Sequence, residues 1–366
     1  MAHIYTIRYI DESSTDRNEY TDRLGKTGLV EVCSSPPPEH LTRKVFKEYT
    51  EDLLLFDYLL DQQSESGPLI EYRGSSFAAM AREQDPLRPI VLFTRRAYEQ
   101  VDLPRARDVQ GAYDEILFKD SLQTDPGPLQ TAKQLVSLIE GFGMLAAVEE
   151  KNWEGLLRTL GANESEAHSL REAQPPGGRT EPWRVPEAAR WILKVICNYP
   201  GILYDSLHAS AALGISQEDF ASESVQASFR PARYSGPFAS SDDPRWWKQR
   251  FLERAYGLMK EAEVWEDVAV GFSLAWNKAK GAELQPSVCV WSGETHADCV
   301  CYWLKKPVKR RYSLPIIPDD RPAIMETARI SFKAIREGNF DERWFREDAE
   351  ELVRSIREKG AVNAGE

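Results

Sequence analysis

The sequence predicts an α/β protein with a five-stranded, doubly wound parallel sheet, followed by a mainly α-helical region with one β-hairpin. Over roughly the first 120 residues, segments that are apolar on nearly every residue alternate with amphipathic helical segments. Strands of that composition are typical of a parallel sheet covered on both faces. From about residue 129 onward, helical patterns dominate. We therefore expect an α/β domain over residues 1–124 and a helical domain over residues 125–366.

Five short apolar segments supply the predicted strands, and polar or turn-forming residues follow each of them. The segments are HIYTIRYI at residues 3–10, LVEVCSS at 29–35, DLLLFDYLL at 52–60, RPIVLFT at 88–94 and YDEILFK at 113–119. The predicted helices between them are STDRNEYTDRLG at 14–25, LTRKVFKEYTE at 41–51, SSFAAMAREQD at 75–85 and a polar, partly helical segment at 97–111. This alternation favours parallel strands joined by helical crossovers.

The helical region begins after a linker at residues 120–130, where Pro128 is well placed to start a helix. Helical patterns then cover residues 129–161, 186–214 with an interruption at Pro200, 243–263 and 342–360. Residues 287–304 are the exception, because apolar and polar residues alternate there around the turn residues Ser292 and Gly293. That pattern predicts the hairpin.

The chain is acidic, with a formal net charge of −12 and a pI of about 5.2. Such a chain repels phosphate backbones, so nucleic-acid binding would need a local basic patch. No apolar run approaches the roughly 20 residues of a membrane span, and the N-terminus lacks the pattern of a signal peptide. Five cysteines in 366 residues do not suggest a disulfide scaffold. We expect a cytoplasmic protein with reduced thiols and no membrane association.

Polar residues end four of the five predicted strands. Asp11 and Glu12 follow the first strand, Asp57 ends the third, Thr94 ends the fourth and Lys119 ends the fifth. In a doubly wound sheet, ligands bind outside the carboxyl ends of the strands. Crowded carboxylates repel one another unless a cation lies among them, and oxygen ligands of this kind suit Mg²⁺. We therefore predict a Mg²⁺ site at Asp11, Glu12 and Asp57.

The same residues suggest phosphoryl chemistry. A carboxylate held against Mg²⁺ can attack a phosphoryl group and form an aspartyl phosphate, and Asp57 is the candidate nucleophile. Thr94 is placed to hydrogen-bond a phosphoryl oxygen, and Lys119 to neutralise another. Taken singly, each has a simpler interpretation: Asp57 as a turn-capping Asp, Asp11 and Glu12 as acids favoured at a helix N-terminus, and Lys119 as a solvated lysine.

Over residues 3–122 the chain resembles the response-regulator receiver domains of two-component signalling. Four motifs carry the resemblance, in order along the chain: YIDES, LLFDYLL, VLFTRR and LFKD. The resemblance implies a flavodoxin-like sheet, Mg²⁺ at the acidic pocket and a phosphoprotein modified at Asp57. It also implies an upstream partner, which is a sensor histidine kinase or a GHKL-type ATPase, and an output controlled within residues 125–366. Receiver-like domains with unfamiliar partners occur in prokaryotic conflict systems, so we hypothesise an anti-phage defence role alongside other proteins of one system.

The chain departs from the receiver pattern at three places. Asp120 follows Lys119 where the family usually has proline, and Ile116 stands where it usually has the switch aromatic. The segment between Asp57 and Thr94 also carries the insertion QQSESGPLIEYRG. We expect the acidic chemistry to be kept while the aromatic relay differs. A degenerate receiver used only for docking remains open.

Cys289, His296, Cys299 and Cys301 form a C-x₆-H-x₂-C-x-C pattern that invites a zinc interpretation. The spacing is not that of a common zinc finger or ribbon. On a hairpin, Cys299, Cys301 and Trp303 share one face by their period of two. A buried thiol face, with His296 as a turn residue, is therefore our preferred interpretation.

A basic run at residues 305–311 offers a second function. Its basic residues are Lys305, Lys306, Lys309, Arg310 and Arg311. The run is either a patch for nucleic acid or an acidic partner, or a solvated edge. The alternative function is thus a pseudo-receiver scaffold whose C-terminal domain binds nucleic acid or a partner protein through this run. The C-terminal half has no P-loop, nucleophile elbow or HExxH motif, so we expect no enzymatic activity beyond accepting a phosphoryl group at Asp57 and releasing it. The sequence leaves open whether the chain forms a homodimer.

Overall fold

The computed structural model describes most of the chain. The described residues are 3–57, 60, 70, 72–95, 112–173, 182–198, 200–240, 242–318, 326–338, 340, 342–345 and 349–362. The predicted partly helical segment at 97–111 and most of the insertion after Asp57 lie outside them. Among the described residues, no helix combines the length and apolar character needed to cross a membrane.

The described residues form eleven short or medium strands and fourteen α-helices. The strands are β1 Tyr5–Ile10, β2 Val30–Ser35, β3 Leu53–Phe56, β4 Ile90–Thr94, β5 Glu115–Phe118, β6 Leu203–Tyr204, β7 Trp246–Trp247, β8 Cys299–Cys301, β9 Lys306–Val308, β10 Ser313–Pro315 and β11 Arg329–Ser331. The helices are α1 Ser14–Gly25, α2 Arg43–Glu48, α3 Gly74–Gln84, α4 Gly127–Ala146, α5 Trp153–Leu160, α6 Glu164–Glu172, α7 Val185–Trp191, α8 Ser206–Ala212, α9 Gln217–Phe220, α10 Glu223–Ser228, α11 Lys248–Glu261, α12 Val268–Lys280, α13 Phe332–Glu337 and α14 Glu350–Val362.

The first five strands form one parallel sheet in the order β2-β1-β3-β4-β5. This is the flavodoxin-like, doubly wound order, so the predicted fold class is confirmed. Ile10 pairs with Phe56, Phe56 with Leu92, and Thr94 with Phe118. The carboxyl ends of β1, β3, β4 and β5 therefore lie along one edge of the sheet.

Aromatic side chains pack helices against both faces of this sheet. On one face, Phe77 of α3 contacts Phe56 at a centroid distance of 4.5 Å and Phe46 of α2 at 4.9 Å. On the other face, Tyr20 of α1 packs edge-on against Phe93 at 5.3 Å. The strands between them are buried: all four residues of β3 are at most 2% exposed. This double burial explains why the strands are apolar on nearly every residue.

The chain divides into two compact units. The first consists of Met1–Gly161, Pro176–Leu193 and Gly236–Asp242, and the second of Ala162–Pro175, Lys194–Ser235 and Asp243–Glu366. Helix α4 thus belongs to the same unit as the sheet and packs against α1 and α7. The helical pattern predicted at residues 129–161 is present as two helices, α4 and α5. The predicted domain boundary between residues 124 and 125 stays a prediction.

The second unit has an aromatic core. Phe229 and Phe251 stack at a centroid distance of 4.3 Å, and Trp246 packs edge-on against Phe220 at 5.0 Å. All four side chains are fully buried. The prediction of a continuous helix at residues 243–263 was wrong at its start, because Trp246 and Trp247 form β7 against β6 and α11 begins only at Lys248.

A small four-stranded sheet in the order β10-β11-β8-β9 completes the second unit. The hairpin predicted at residues 287–304 is present only around its turn, and its second half pairs with a later strand instead. Val288 forms an antiparallel bridge with Thr295 around the turn at Gly293, and β8 pairs with β9 in antiparallel fashion. Because β8 ends at Cys301, Trp303 lies in the following turn and is 43% exposed, not on the buried face predicted for it.

Candidate metal and phosphoryl site

Three carboxylates meet at the carboxyl edge of the parallel sheet. Asp11 and Glu12 follow β1, and Asp57 follows β3. One oxygen of each carboxylate lies within 4.8 Å of the other two. Asp11 and Asp57 are 0% and 5% exposed, and Glu12 is half-buried. The structure therefore brings together the three predicted Mg²⁺ ligands.

Lys119 lies among these acids. Its Nζ is 2.7 Å from Asp11 Oδ2, 2.7 Å from Asp57 Oδ1 and 3.1 Å from Asp16 Oδ2, and its side chain is 4% exposed. Burial by itself lowers the pKa of a lysine, but Asp57 and Asp11 outweigh it, so the pKa of Lys119 is raised. Lys119 is an ammonium cation that compensates the buried carboxylates.

Asp16 is a site residue that the sequence analysis missed. It lies in the first turn of α1, where its backbone N–H donates to the capping hydroxyl of Ser13 at 3.1 Å. Its carboxylate, however, accepts from Lys119 and from the guanidinium of Arg95 at 3.2 and 3.3 Å. The sequence SSTD indicates a helix N-terminus, and this interpretation accounts for Asp16 without any further role. No local pattern distinguishes a capping acid from one that faces the sheet edge.

Tyr9 and Arg17 fix the loop that carries Asp11. The Tyr9 hydroxyl donates to Asp11 Oδ2, and the backbone N–H of Ser13 donates to Asp11 Oδ1 at 2.8 Å. Arg17 Nη1 donates to the backbone carbonyls of Asp11 and Glu12 at 2.5 and 3.1 Å. Burial and the Asp11 charge raise the pKa of Tyr9, so its hydroxyl stays protonated and remains a donor. These contacts hold Asp11 in place before any metal binds.

Glu12 has an environment that suits a cation. Burial, together with the charges of Asp11 and Asp57, raises the pKa of Glu12 to about 8. Its Oε2 atom is buried and has no hydrogen-bond partner among the described residues. A divalent cation would satisfy this oxygen and relieve the repulsion among the three carboxylates. The residues present thus fit Mg²⁺, which takes carboxylate oxygens and keeps several waters.

Thr94 supplies a hydroxyl at the same edge. It ends β4 opposite Phe118, the residue that precedes Lys119. The side chain is fully buried, and its Oγ1 has no hydrogen-bond partner among the described residues. A buried hydroxyl without a partner is costly, so Thr94 Oγ1 is a donor that an incoming oxygen could satisfy.

The two residues that depart from the receiver pattern near Lys119 are Ile116 and Asp120. Ile116 lies in β5 and packs, partly buried, into the core cluster formed with α2 and α3. Asp120 lies in the 3₁₀ helix Lys119–Gln123, which contacts α4. No aromatic ring therefore occupies the position that precedes Lys119 by three residues.

No family model matches this chain, and no curated protein matches it. Solved structures that match cover its N-terminal part. A LuxR-family two-component response regulator from Aurantimonas sp. SI85-9A1 is 15% identical, with 38% of this chain and 87% of that chain covered and a TM-score of 0.28. A CheY-like receiver domain protein from Methanospirillum hungatei JF-1 is 14% identical, with 38% and 98% covered and a TM-score of 0.29. The chemotaxis protein CheY4 of Vibrio cholerae is 16% identical, with 36% and 98% covered and a TM-score of 0.27.

The N-terminal fold is receiver-like. This conclusion rests on the strand order of the parallel sheet, and the predicted resemblance is confirmed at the level of fold. The three solved structures named above cover 36–38% of this chain.

The four residues of the predicted zinc set do not converge. Within the part of the chain that the structure describes, only the acidic edge brings three potential metal-ligating side chains together. The zinc set comprises Cys289, His296, Cys299 and Cys301. Cys299 Sγ donates to the carbonyl of Val308 at 3.1 Å, whereas Cys301 Sγ accepts from the backbone N–H of Ser331 at 3.2 Å. Burial raises the pKa of Cys299 to about 11, so it is a protonated thiol.

The basic run at residues 305–311 is largely paired with acids. Lys309 Nζ lies 3.1 Å from Glu294 Oε2, and Arg311 pairs with the same carboxylate. Arg310 Nε lies 3.7 Å from Asp298 Oδ2. These pairs reduce the positive charge that the run presents to a nucleic acid.

The other two basic residues of the run are exposed. Lys305 lies over the Tyr302 ring, with its Nζ 4.4 Å from the ring centroid, whereas Lys306 lies on β9. Nucleic-acid binding through the run stays a hypothesis.

Proposed function

We propose that this chain is a cytoplasmic signalling protein that binds Mg²⁺ at Asp11, Glu12 and Asp57, accepts a phosphoryl group at Asp57 and thereby controls its helical region. The observation that supports this most strongly is the geometry of the sheet edge. Two buried carboxylates and one half-buried carboxylate lie within 4.8 Å of one another, with a buried lysine bridging two of them. Perturbed, mutually interacting ionisable groups in one cluster are typical of functional sites.

The three carboxylates would hold Mg²⁺ through their oxygens. When bound, the cation withdraws charge from phosphoryl oxygens and so makes the phosphorus more electrophilic. Asp57 then acts as the nucleophile. One of its carboxylate oxygens attacks the phosphorus of a phosphodonor, and the bond from phosphorus to the leaving group breaks with its electron pair going to that group.

Lys119 and Thr94 stabilise the transferred group. The ammonium of Lys119 already lies 2.7 Å from Asp57 Oδ1 and can neutralise charge on a phosphoryl oxygen. The Thr94 hydroxyl, which has no partner among the described residues, donates a hydrogen bond to another oxygen. Release follows when a water molecule attacks the phosphorus, which regenerates the Asp57 carboxylate and yields inorganic phosphate.

The signal would leave the site through Lys119. This residue begins the 3₁₀ helix Lys119–Gln123, which packs against α4, and α4 also contacts α1. A phosphoryl group on Asp57 adds negative charge beside the ammonium and redistributes its three ion pairs. A sensor histidine kinase or a GHKL-type ATPase would donate the phosphoryl group, and defence against phage together with other proteins is the setting we hypothesise.

The proposal is tested by measuring the intact mass of the protein after incubation with acetyl phosphate and Mg²⁺. We expect one added phosphoryl group on the wild type and none on Asp57→Asn. Asp52→Asn is the matched control, because Asp52 precedes β3 and accepts from Thr6 N–H at 2.7 Å, away from the acidic edge. It should be labelled like the wild type.

Two results would reject phosphoryl transfer to Asp57. One is equal labelling of the wild type and Asp57→Asn. The other is a wild type that stays unlabelled by acetyl phosphate and also by its cognate kinase. Labelling that proceeds equally well in EDTA would reject the role of Mg²⁺.

A further inference from the structure

The second unit contains a cavity that the proposed function does not use. Its volume is about 1010 Å³, and its walls come from α8, α11, α12 and the four-stranded sheet. This is at the upper end of the size range of small-molecule pockets. Six basic and three acidic residues line it. The wall is therefore net positive, although the whole chain carries a net charge of −12.

Arg329 is the residue that most strongly indicates an anion. Its guanidinium donates only to neutral oxygens: Nε to Ser313 Oγ at 2.8 Å, and Nη2 to the carbonyls of Ser313 and Arg310 at 2.7 and 3.0 Å. Among the described residues, Arg329 forms no ion pair, and its Nη1 makes no hydrogen bond. A partly buried guanidinium without a carboxylate is unfavourable, and an anion in the cavity would compensate it.

The acids on the wall, together with Glu294, which pairs with Lys309 and Arg311, compensate only part of this positive charge. Asp298 pairs with Arg310 at 3.7 Å, and Glu326 accepts from Lys248 at 2.5 Å. The third acid, Asp267, is exposed at the N-terminus of α12.

Lys305 lines the cavity as well. It is exposed, and among the described residues it is paired only with the Tyr302 ring. Among the described residues, Lys305 and Arg329 are thus two cations of the cavity lining without a carboxylate partner.

The lining also contains aromatic rings. Tyr256 is 57% exposed and His208 is partly buried, whereas Tyr204 is only 4% exposed and its ring packs against His208 and Lys248. His296 contributes a buried ring nitrogen, Nδ1, that has no hydrogen-bond partner among the described residues. A ligand with a planar ring and polar ring atoms would find both stacking and hydrogen-bonding groups here.

We propose that this cavity binds a phosphorylated small molecule of the nucleotide class. Its phosphate would lie against Arg329 and Lys305, and its planar ring against Tyr256 and His208. This site lies in the second unit and shares no residue with the acidic sheet edge. It therefore does not depend on phosphoryl transfer to Asp57.

Isothermal titration calorimetry in EDTA tests the proposal, because the acidic edge cannot then bind phosphate through a metal. The probes are inorganic phosphate, pyrophosphate, ATP and a single-stranded DNA oligonucleotide. We expect saturable binding of the phosphorylated small molecules, with ATP the tightest because its base adds stacking. Asp57→Asn should bind ATP like the wild type, which separates this site from the phosphoryl site.

Lys305 and Lys306 provide a matched pair of variants. They are neighbours in the same basic run, but only Lys305 lines the cavity. Lys305→Gln should weaken ATP binding about tenfold through loss of a charge-assisted contact. Lys306→Gln should change it less than about twofold. Arg329→Gln should weaken ATP binding more than Lys305→Gln does. Circular dichroism checks that the Arg329→Gln variant is folded.

Several outcomes would overturn the proposal. Absence of binding for all three phosphorylated small molecules would reject the anion site. Equal loss of ATP affinity in Lys305→Gln and Lys306→Gln would indicate a surface patch for nucleic acid instead. Binding of the oligonucleotide alone, with a steep salt dependence, would indicate the same. Equal affinity for pyrophosphate and ATP would reject stacking of the base on the aromatic residues of the lining.

Discussion

At the scale of single residues, Lys119 decides the electrostatics of the acidic edge. It forms ion pairs with Asp11, Asp16 and Asp57 from a position that is almost fully buried. Removing one partner from a buried ion pair leaves an uncompensated charge, which costs far more than the pair itself contributes. A metal ion can take over part of this compensation because it binds the same carboxylates.

Lys119→Met should therefore lower the free energy of unfolding by about 3–5 kcal/mol in EDTA. Saturating Mg²⁺ should restore part of this loss, because a ligand that binds only the folded state stabilises it. Lys133→Met is the control: Lys133 pairs with Asp242 on the surface, and loss of that pair should cost less than about 1 kcal/mol. Urea denaturation measures both. Equal costs for the two variants would contradict the role assigned to Lys119.

Glu12 gives the site a pH dependence. Its pKa is about 8 in the folded protein, well above the ordinary value of 4.5, because of burial and the neighbouring Asp11 and Asp57. The folded state thus holds this proton more tightly than the unfolded state. The stability from this proton is fully present below pH 4.5 and is lost as the pH rises through 8.

In EDTA, the wild type should lose stability between pH 5 and 8 more steeply than Glu12→Gln. The slope for one proton is at most about 1.4 kcal/mol per pH unit, and solvent screening lowers it. Urea denaturation at several pH values measures the slopes. Glu19→Gln, on the surface of α1 beside Arg23, should keep the wild-type slope. If Glu12→Gln also keeps the wild-type slope of stability against pH, then Glu12 does not take up this proton.

At the scale of elements, the sequence predicted what local patterns determine. The predicted bounds of α1 match those of the structure, because Ser13 caps its start and Gly25 lies at its end. Strand β7 was missed, because Pro244 followed by an aromatic pair is compatible with a helix start. Burial of Trp246 and Trp247 against the core depends on tertiary contacts that a local pattern does not contain.

Gly214 shows how tightly two elements of the second unit meet. It follows α8 with φ +66°, and an added Cβ would lie 1.9 Å from the backbone carbonyl oxygen of Ala269 in α12. Gly281, at the end of α12, has a similar φ of +65° but no atom within 4 Å of that position. The two glycines therefore separate steric crowding from backbone preference.

Gly281→Ala should cost only the left-handed backbone penalty, about 1–2 kcal/mol. Gly214→Ala should cost clearly more, because a backbone atom cannot move aside as a flexible side chain can. Thermal unfolding followed by circular dichroism measures both. Similar melting temperatures for the two variants would contradict the close approach of α8 and α12.

At the scale of the whole molecule, the sequence predicted the doubly wound fold and three acidic residues at one edge of its sheet, because parallel strands and their ends follow from the alternating pattern. Asp57 is 46 and 45 residues from Asp11 and Glu12 in the sequence but adjacent to them in the fold. The cavity in the second unit could not be predicted, because its wall combines residues from separate helices and from the small sheet. No spacing in the sequence indicates which of them share a surface.

Everything proposed for the sheet edge depends on the three carboxylates forming a site for a divalent cation. Isothermal titration calorimetry with Mg²⁺ measures this binding. We predict one ion bound per wild-type chain, at least about tenfold weaker binding by Asp11→Asn, and unchanged binding by Asp52→Asn. A wild type without saturable Mg²⁺ binding, or an Asp11→Asn variant that binds Mg²⁺ as tightly as the wild type, would contradict the claim.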